Sequence, residues 1–298
     1  AVASRDVARA QALLGHLPGV RIYGDYESLL LDPEVDAVYI PLPNSLHGEW
    51  TIRALEAGKH VLCEKPLAVT AEEGHLMAET ARENNLLLME AFMYRFHPQT
   101  IWALEQAHAG RIGSIKLVRS SFSFNLMNPP RPHDIRLQAA LAGGSLMDIG
   151  CYNVNFCRAV YGHAPVAVAA RVSAPSLDDV ERSTTAVLDF GEGRFGLIDC
   201  SFELPPRQVN EIIGDAGSIT IPLAFTPGHA DTEVILKSEE EVLQHHISGI
   251  DQYRLEVEHF GDCIRVGAHP AFRLSETLEN LRTMEAIYTS AGHRWPLY

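Results

Sequence analysis

The chain has 298 residues, of which 46% are apolar and 21% charged, which is usual for a globular protein with one large domain or two ordinary ones. Lys and Arg total 24 and Asp and Glu total 38, so the formal net charge of −14 argues against general affinity for nucleic acid or an anionic membrane surface. No run approaches the ~20 consecutive apolar residues that a membrane-spanning helix requires.

The cysteine count also limits the class of protein. There are five cysteines, and since the number is odd, the spacing wide and C-x-x-C missing, neither a disulfide framework nor a metal site is expected. We interpret them as buried, reduced thiols of a cytoplasmic protein.

The first third of the chain alternates short apolar runs with helical patterns. Asp25 is suited to cap a helix, and the segment from Thr70 to Glu73 forms a capping box at the start of another. The predicted strands cover residues 1–3, 21–23, 36–40, 60–63 and 86–90. Because helices separate these strands, the pattern predicts right-handed βαβ units in a Rossmann-like parallel sheet.

After Met93 the pattern changes. A long strand over residues 114–124 is followed by a polar, proline-containing segment and by a helix over 145–161. Further strands then follow one another with short turns, which predicts a large open, mainly antiparallel sheet in an α+β domain. We therefore predict two domains, an α/β domain over 1–93 that is truncated at its N-terminal side, and an α+β domain over 94–298.

Ser4 and Arg5 follow the first strand, at the position where a dinucleotide-binding fold meets the adenosine ribose. An arginine here accommodates the 2′-phosphate of NADP, whereas an acidic residue favours NAD, although a solvated surface arginine is an equally simple interpretation. The chain contains no G-x-G-x-x-G loop. We therefore expect a strand–loop–helix unit of about 30 residues before Ala1, and poor NADP binding without it.

The end of the third strand provides further candidates for cofactor binding. Pro41 ends this strand, and Asn44 and His47 lie where the chain turns into the next helix. Asn44 can hydrogen-bond a cofactor ribose, but it can equally cap the helix. His47 can contact the cofactor or belong to the first helical turn.

The fourth strand ends in Glu64-Lys65-Pro66. Ligands of open α/β sheets bind beyond the carboxyl ends of the strands, so Lys65 is predicted to face the ligand rather than the core. Asp148 and Tyr152 are four residues apart in the predicted helix 145–161 and should share one face. The alternatives to a functional role are structural: Lys65 can be an ordinary surface lysine, and Tyr152 a core tyrosine whose hydroxyl bonds Asp148.

Four segments together resemble the glucose–fructose oxidoreductase, inositol dehydrogenase and dihydrodiol dehydrogenase (Gfo/Idh/MocA) family. They are a P-x-x-x-H-like segment over 41–47, a segment over 58–67 similar to G-K-H-V-x-x-E-K-P, the segment 91–98, and a helix start over 143–153 similar to G-G-G-x-x-x-D-x-G-x-[HY]. Ala142 stands where the family has its first glycine. The resemblance covers essentially the whole chain.

The resemblance implies an oxidoreductase that uses NADP, or alternatively NAD, on a secondary alcohol of a sugar or cyclic diol. It implies a catalytic group of Lys65, Asp148 and Tyr152, in which the Lys65 ammonium favours the ionised phenol in oxidation. In reduction, Tyr152 is the acid and Lys65 polarises the carbonyl. The implied cofactor residues are Ser4, Arg5, Pro41, Asn44, His47, Glu64 and Lys65, and the candidate substrate contacts are Arg95, His97 and His133.

Two further expectations come with the resemblance. A homodimer or homotetramer is expected, because a large open antiparallel sheet otherwise leaves one face exposed. The alternative function is that of a non-catalytic member of the same fold that senses a nucleotide or sugar. Retention of Lys65, Asp148 and Tyr152 together favours the enzyme.

Overall fold

The computed structural model describes residues 1–176 and 179–295. Its first third has five short strands with helices between them, and every strand pairing in it is parallel. The strands are β1 (Val2–Ala3), β2 (Ile22–Tyr23), β3 (Ala37–Ile40), β4 (His60–Glu64) and β5 (Leu88–Ala91). The helices are α1 (Val7–Leu14), α2 (Tyr26–Leu30), α3 (His47–Glu56) and α4 (Ala71–Glu83).

The parallel strands form two sheets rather than the single one expected. β1 pairs with β2, while β3, β4 and β5 form a separate sheet in that order. A cleft of about 670 Å³ is lined by residues of both β1 and β3, among them Val2, Ala3 and Val38. Within each of the two sheets the strands are parallel, so their carboxyl ends lie at one edge of that sheet.

Local signals account for the helix starts. The side chains of Asp6, Asp25 and Thr70 each accept a hydrogen bond from a backbone N–H in the first turn of α1, α2 and α4, respectively. Each cap satisfies one of the four N–H groups that a helix start leaves without an intrahelical partner. Gly58, at φ +77°, ends the turn after α3 in the left-handed conformation that glycine adopts without steric cost.

The rest of the chain is built on an eight-stranded sheet in the order β13-β12-β11-β10-β6-β9-β8-β7. β6 and β9 are parallel, and every other neighbouring pair is antiparallel. The strands are β6 (Ile115–Ser123), β7 (Ala167–Ser173), β8 (Ser183–Asp189), β9 (Phe195–Ser201), β10 (Arg207–Gly214), β11 (Gly217–Ile221), β12 (Thr232–Ser238) and β13 (Val242–Ile247). The predicted open, mainly antiparallel sheet is confirmed.

Helices cover one face of this sheet and bury its alternate residues. α5 (Pro98–His108) packs against β11 and β12, and α6 (Cys151–Tyr161) packs against β6 and β9. α7 (Gln252–Val266) packs beside the short turn over 93–96. The core on this side contains Val118, Ile198 and Ile212, one from each of three neighbouring strands.

The last helix, α8 (Leu274–Ala291), joins the two parts of the chain. It packs against β7 of the large sheet and also against α4 of the first part. Leu281 belongs to the buried cluster that includes Val61 and Met77, and the carboxylate of Glu285 accepts a hydrogen bond from the backbone N–H of Ala71. The division at 93/94 stays a prediction, and the end of the chain contributes to the core of the first part.

The predicted continuous α-helix over 145–161 is wrong at its start. Residues Leu146–Gly150 form one turn of π-helix, and the α-helix begins at Cys151. The backbone N–H of Leu146 and the hydroxyl of Ser145 donate to the carboxylate of Glu181, which lies before β8. This tertiary anchor holds the wider turn, so Asp148 and Tyr152 are not placed as in a regular α-helix.

Two properties of the described residues bear on the protein class. All five cysteines are buried thiols. In residues 1–176 and 179–295, no helix combines the length and apolar character needed to cross a bilayer.

Candidate active site

A cavity of about 690 Å³ lies where the end of β4 meets the π-turn and the large sheet. β4 ends at Glu64, so Lys65 emerges at the carboxyl edge of the parallel sheet, as predicted. The lining includes Lys65, Asp148 and Tyr152 together. It also includes Glu64, Met93, Phe122, Ser123, Phe124, Arg136, Ile149, Pro206, Arg207, Gln208, Val209, Pro222, Leu223, Thr226 and Tyr253.

The side-chain ammonium of Lys65 donates both of its hydrogen bonds to one residue, Asp148. Its Nζ donates to the backbone oxygen of Asp148 at 2.9 Å and to Oδ1 of the same residue at 3.1 Å. Both side chains are 14% exposed, so the pair is largely shielded from water. Because an ammonium has three donors, this arrangement leaves one N–H of Lys65 for another oxygen.

The other oxygen of Asp148 is held by Arg136, which lies in the short 3₁₀ turn Ile135–Leu137. Arg136 Nε donates to Asp148 Oδ2 at 2.7 Å. The carboxylate therefore bridges an ammonium and a guanidinium. The resemblance also implies that Asp148 orients a substrate hydroxyl. Each of its carboxylate oxygens already accepts a hydrogen bond from a cation in this structure.

The charges of this group stabilise one another. Burial on its own raises the pKa of Asp148, but the positive charges of Lys65 and Arg136 outweigh it and hold that pKa below its usual value. Burial likewise lowers the pKa of Lys65, and the negative charge of Asp148 more than reverses this, so the pKa of Lys65 is raised. Both groups are thus ionised at neutral pH.

Tyr152 lies at the base of the cavity, 4% exposed, in the first turn of α6. Its ring packs against Phe92, Phe122 and Phe225, with ring centroids 5.3–5.6 Å away. The hydroxyl donates to Met93 Sδ at 3.4 Å. Neither contact favours a charged phenolate.

The resemblance implies that the Lys65 ammonium stabilises a Tyr152 phenolate, but the structure shows no direct hydrogen bond between the two among the described residues. Lys65 Nζ lies 5.3 Å from the centroid of the Tyr152 ring and gives its hydrogen bonds to Asp148, not to the phenol oxygen. Burial raises the pKa of Tyr152 well above its usual value, and nearby negative charge, including that of Glu64, adds to the effect. In this state Tyr152 is a proton donor.

The predicted cofactor residues divide between the cavity and the cleft. Ser4 and Pro41 line the cleft between β1 and β3, and Arg5 is exposed immediately after β1. Glu64 lines the cavity, and its carboxylate accepts hydrogen bonds from the Tyr39 hydroxyl and the backbone N–H of Lys65.

Asn44 and His47 make contacts that connect segments of the chain. Asn44 Nδ2 donates to the backbone oxygen of Ala142 at 2.8 Å, across to the segment before the π-turn. His47 is buried, with Nδ1 2.9 Å from the Pro66 oxygen and Nε2 2.8 Å from the Leu42 oxygen. It therefore holds the turn after Lys65 against the turn after β3.

Both parts of the chain are similar to known protein families. Residues 1–92 match the oxidoreductase family with NAD-binding Rossmann fold (GFO_IDH_MocA), and residues 102–220 match the GFO/IDH/MocA C-terminal domain. The D-xylose 1-dehydrogenase (NADP⁺) 2 of Haloferax volcanii is 39% identical over 292 residues, which is 98% of this chain and 89% of the relative. The chain belongs to the Gfo/Idh/MocA family of oxidoreductases.

Other relatives in the Gfo/Idh/MocA family are similar over nearly the whole chain. The human trans-1,2-dihydrobenzene-1,2-diol dehydrogenase is 30% identical over 308 residues, covering 99% of this chain and 89% of that protein. A 3-ketoreductase from Actinomadura kijaniata, solved with NADP and TDP-benzene, has a TM-score of 0.86 and 32% identity, over 97% of this chain and 88% of its own. The predicted family, fold and enzyme class are confirmed.

The residues present fit the cofactor of a Gfo/Idh/MocA oxidoreductase. The cavity lies at the carboxyl end of β4, and the cleft runs along β1 and β3 as far as Ser4 and Pro41, which follow the ends of these strands. Ser4, Pro41 and Glu64 offer a hydroxyl, a backbone carbonyl and a carboxylate there. These are groups that can bond ribose and amide groups.

The three candidate substrate contacts lie outside the cavity lining. Arg95 donates to Asn155 Oδ1 and stacks over Phe272, and His97 is fully buried as the N-cap of α5. His133 is exposed, and its backbone oxygen accepts from the Gln138 side chain. Arg95 and His97 thus stabilise the fold in this state.

Sequence reasoning missed several residues that line the cavity. Arg136 is the clearest, because its guanidinium contacts the carboxylate of Asp148. In the sequence, Arg136 is recognisable only as a basic residue in a polar, proline-rich segment, twelve positions before Asp148. Arg207 and Gln208, at the start of β10, gave no signal, because nothing local shows which strand end faces the cavity.

Proposed function

We propose that this protein is an NADP-preferring oxidoreductase that transfers hydride between nicotinamide and a secondary alcohol of a sugar or cyclic diol. The observation that carries the proposal is the meeting of Lys65, Asp148 and Tyr152 in one cavity at the end of a parallel strand. The named activities of the relatives, on D-xylose and on a dihydrodiol, support this substrate class.

When bound, the nicotinamide supplies the hydride in reduction and accepts it in oxidation. In reduction, the remaining N–H of Lys65 polarises the substrate carbonyl while its other two N–H groups stay hydrogen-bonded to Asp148. Tyr152, kept protonated by its surroundings, donates its proton to the developing alkoxide. In oxidation Tyr152 starts as the phenolate, and its oxygen takes the proton of the substrate hydroxyl.

The preference for NADP is supported by Arg5. This residue lies directly after β1, is exposed, and is free of competing contacts to the protein among the described residues. A guanidinium in that position suits a ribose 2′-phosphate through paired N–H donors. An R5D variant should therefore lose affinity for NADP more than for NAD.

The direct test of catalysis is a Lys65→Met variant. We expect turnover with NADP to fall by at least about 10²-fold, because the substrate oxygen loses its charged donor. Binding of NADPH, followed by its fluorescence, should be retained. Lys116→Met, at an exposed position of β6, is a matched control that should retain full activity.

The alternative, a non-catalytic sensor of a nucleotide or sugar, makes the opposite prediction. A sensor would bind NADPH or a sugar, with no oxidation of aldoses, inositols or cyclic diols by the wild-type protein. Wild-type-like turnover in the Lys65→Met variant would instead leave an enzyme whose catalytic group has been assigned incorrectly.

We also infer a homo-oligomer in a cytoplasmic setting. The outer face of the large sheet carries the apolar side chains of Val187, Phe195 and Leu197, each at least 36% exposed. A contiguous apolar surface of this kind is typical of a subunit interface. Five buried thiols suit a reducing compartment.

A further inference from the structure

The Asp148 carboxylate is shared between two cations that come from distant parts of the chain. Lys65 follows β4, and its Nζ contacts Oδ1 and the backbone oxygen of Asp148. Arg136 belongs to the segment that follows β6, and its Nε contacts Oδ2. The carboxylate therefore cannot turn toward either cation without losing its contact with the other.

Arg136 is itself fixed by contacts other than that with Asp148. Its Nη1 donates to Asp134 Oδ1 at 3.3 Å, and the same oxygen accepts from the backbone N–H of Arg136 at 3.0 Å. Its guanidinium carbon also lies 5.9 Å from the centre of the Phe124 ring. Asp134, at 14% side-chain exposure, thus holds Arg136 in the orientation that presents Nε to Asp148.

We propose that Arg136 is a positioning residue for the reaction proposed above: by holding Oδ2 of Asp148, it fixes the carboxylate that orients Lys65. The inference rests on the proposed function. Arg136 acts through Asp148 on Lys65, so that two protons of the ammonium are committed and the third is left for the substrate oxygen. Its charge also keeps Asp148 ionised next to Lys65.

Removal of the guanidinium would change both the geometry and the charge. Oδ2 would lose its donor, and the carboxylate would be free to rotate and take both oxygens to Lys65, which pulls Nζ away from the backbone oxygen of Asp148. A displacement of about 1 Å in a reacting group costs roughly 10²-fold in rate. The pKa of Asp148 would rise, because one of the two positive charges that lower it is gone.

The groups that face Asp148 determine how this change would appear in a pH profile. Lys65 and Arg136 are the cations, Glu64 is the other carboxylate of the cavity, and Tyr152 and Cys151 are neutral neighbours with raised pKa values. In oxidation Tyr152 must be ionised to accept the substrate proton, so kcat falls when the pH drops below the pKa of Tyr152. The positive charge of Arg136 in the same cavity favours the ionised phenol, so its loss should move the acid limb of kcat to higher pH.

The experiment compares Arg136→Met, Arg136→Lys and Arg136→Ala with Arg131→Met in the full chain. Arg131 is an exposed cation in the same segment, so its removal controls for the loss of charge there. The probe is NADP with whichever of D-xylose, myo-inositol and trans-1,2-dihydrobenzene-1,2-diol the wild-type protein oxidises fastest. kcat, KM, pH profiles, NADPH affinity and a crystal structure of the Arg136→Met variant are measured.

For Arg136→Met we expect kcat to fall about 10²-fold, the acid limb to move to higher pH, and NADPH affinity to be unchanged. The crystal structure should show Lys65 Nζ displaced from the backbone oxygen of Asp148. Arg136→Lys should retain the acid limb but only part of kcat, and added guanidinium should restore activity to Arg136→Ala. Arg131→Met should match the wild type.

The positioning role of Arg136 and the proposed substrate class are refuted by different results. An unchanged contact of Lys65 with Asp148 in the Arg136→Met crystal structure, or an unchanged kcat and acid limb, would refute the positioning role of Arg136. A wild-type protein that oxidises none of the three compounds would refute the proposed substrate class. In that event the crystal structure still decides whether Arg136 holds Asp148 and Lys65 in place.

Discussion

At the scale of single residues, Tyr152 combines a buried ring with a weakly bonded hydroxyl. Its hydroxyl donates to a sulfur, which is a weak acceptor, so Tyr152→Phe should lower the free energy of unfolding by no more than about 1 kcal/mol. The same change removes the proposed proton donor and should reduce kcat by roughly 10²–10⁴-fold. Steady-state kinetics and urea unfolding measure the two effects.

Tyr94→Phe is the matched control for this prediction. Tyr94 is equally buried, but its hydroxyl donates to Asn155 Oδ1, and the residue lies outside the cavity lining. The control should lose stability and retain kcat, the reverse of Tyr152→Phe. Equal losses of kcat in the two variants would show that the aromatic cluster, rather than the Tyr152 hydroxyl, supports turnover.

The residues of the site could be predicted from sequence only where a motif carries them. Lys65, Asp148 and Tyr152 lie in motifs with fixed spacing, and the structure brings all three to one cavity. Arg136 lies in a segment without periodicity, and its role depends on how that segment folds over the cavity. His97 is a candidate substrate contact from the family resemblance, and the structure shows that its imidazole caps α5 outside the cavity lining.

At the scale of elements, the π-turn depends on a close approach between Gly150 and β9. A Cβ added to Gly150 would lie 2.7 Å from Cys200 Sγ and 2.8 Å from Leu146 Cδ1. Overpacking of this kind costs about 1–3 kcal/mol, more than the gain of up to about 1 kcal/mol when alanine replaces glycine in a helix. Gly150→Ala should therefore destabilise the protein in urea unfolding.

A double-mutant cycle tests whether Cys200 is the cause. Cys200→Ala removes the sulfur that the new Cβ would meet, so Gly150→Ala should cost less in that background than in the wild type. The four unfolding free energies give the coupling between the two positions. If the cost is the same in both backgrounds, the Cys200 contact does not explain the glycine.

Elements that depend on local signals could be predicted, and those that depend on distant contacts could not. The caps Asp6, Asp25 and Thr70 act on backbone groups within a few residues, so sequence is sufficient for them. The π-turn is held by Glu181, about 35 residues away, through the backbone of Leu146. The separation of β1 from β3 likewise depends on strand pairing, which a strand pattern alone does not specify.

At the scale of the whole molecule, one chain end connects the two halves. α8 covers part of the large sheet and also contributes Leu281 to the core beneath β4. Trp295, just beyond α8, donates from Nε1 to the backbone oxygen of Val69. The strand that carries Lys65 and the sheet that carries the rest of the cavity are therefore held in one arrangement by packing, not by a flexible linker.

The opposite face of the large sheet gives the last prediction. Leu197, in β9, is 36% exposed beside Val187 and Arg119 in the two neighbouring strands. In an oligomer, Leu197→Glu would bury a charge in the subunit interface, so the oligomer should dissociate. In the dissociated subunit, the new carboxylate would lie in water beside Arg119 of the same sheet, so the subunit should stay folded. Light scattering after gel filtration measures the mass, and circular dichroism the fold. Leu76→Glu, at an exposed position of α4, adds the same charge away from the sheet and should leave the mass unchanged. A wild-type protein with the mass of one chain, or a Leu197→Glu variant with the wild-type mass, would show that this face is not the interface.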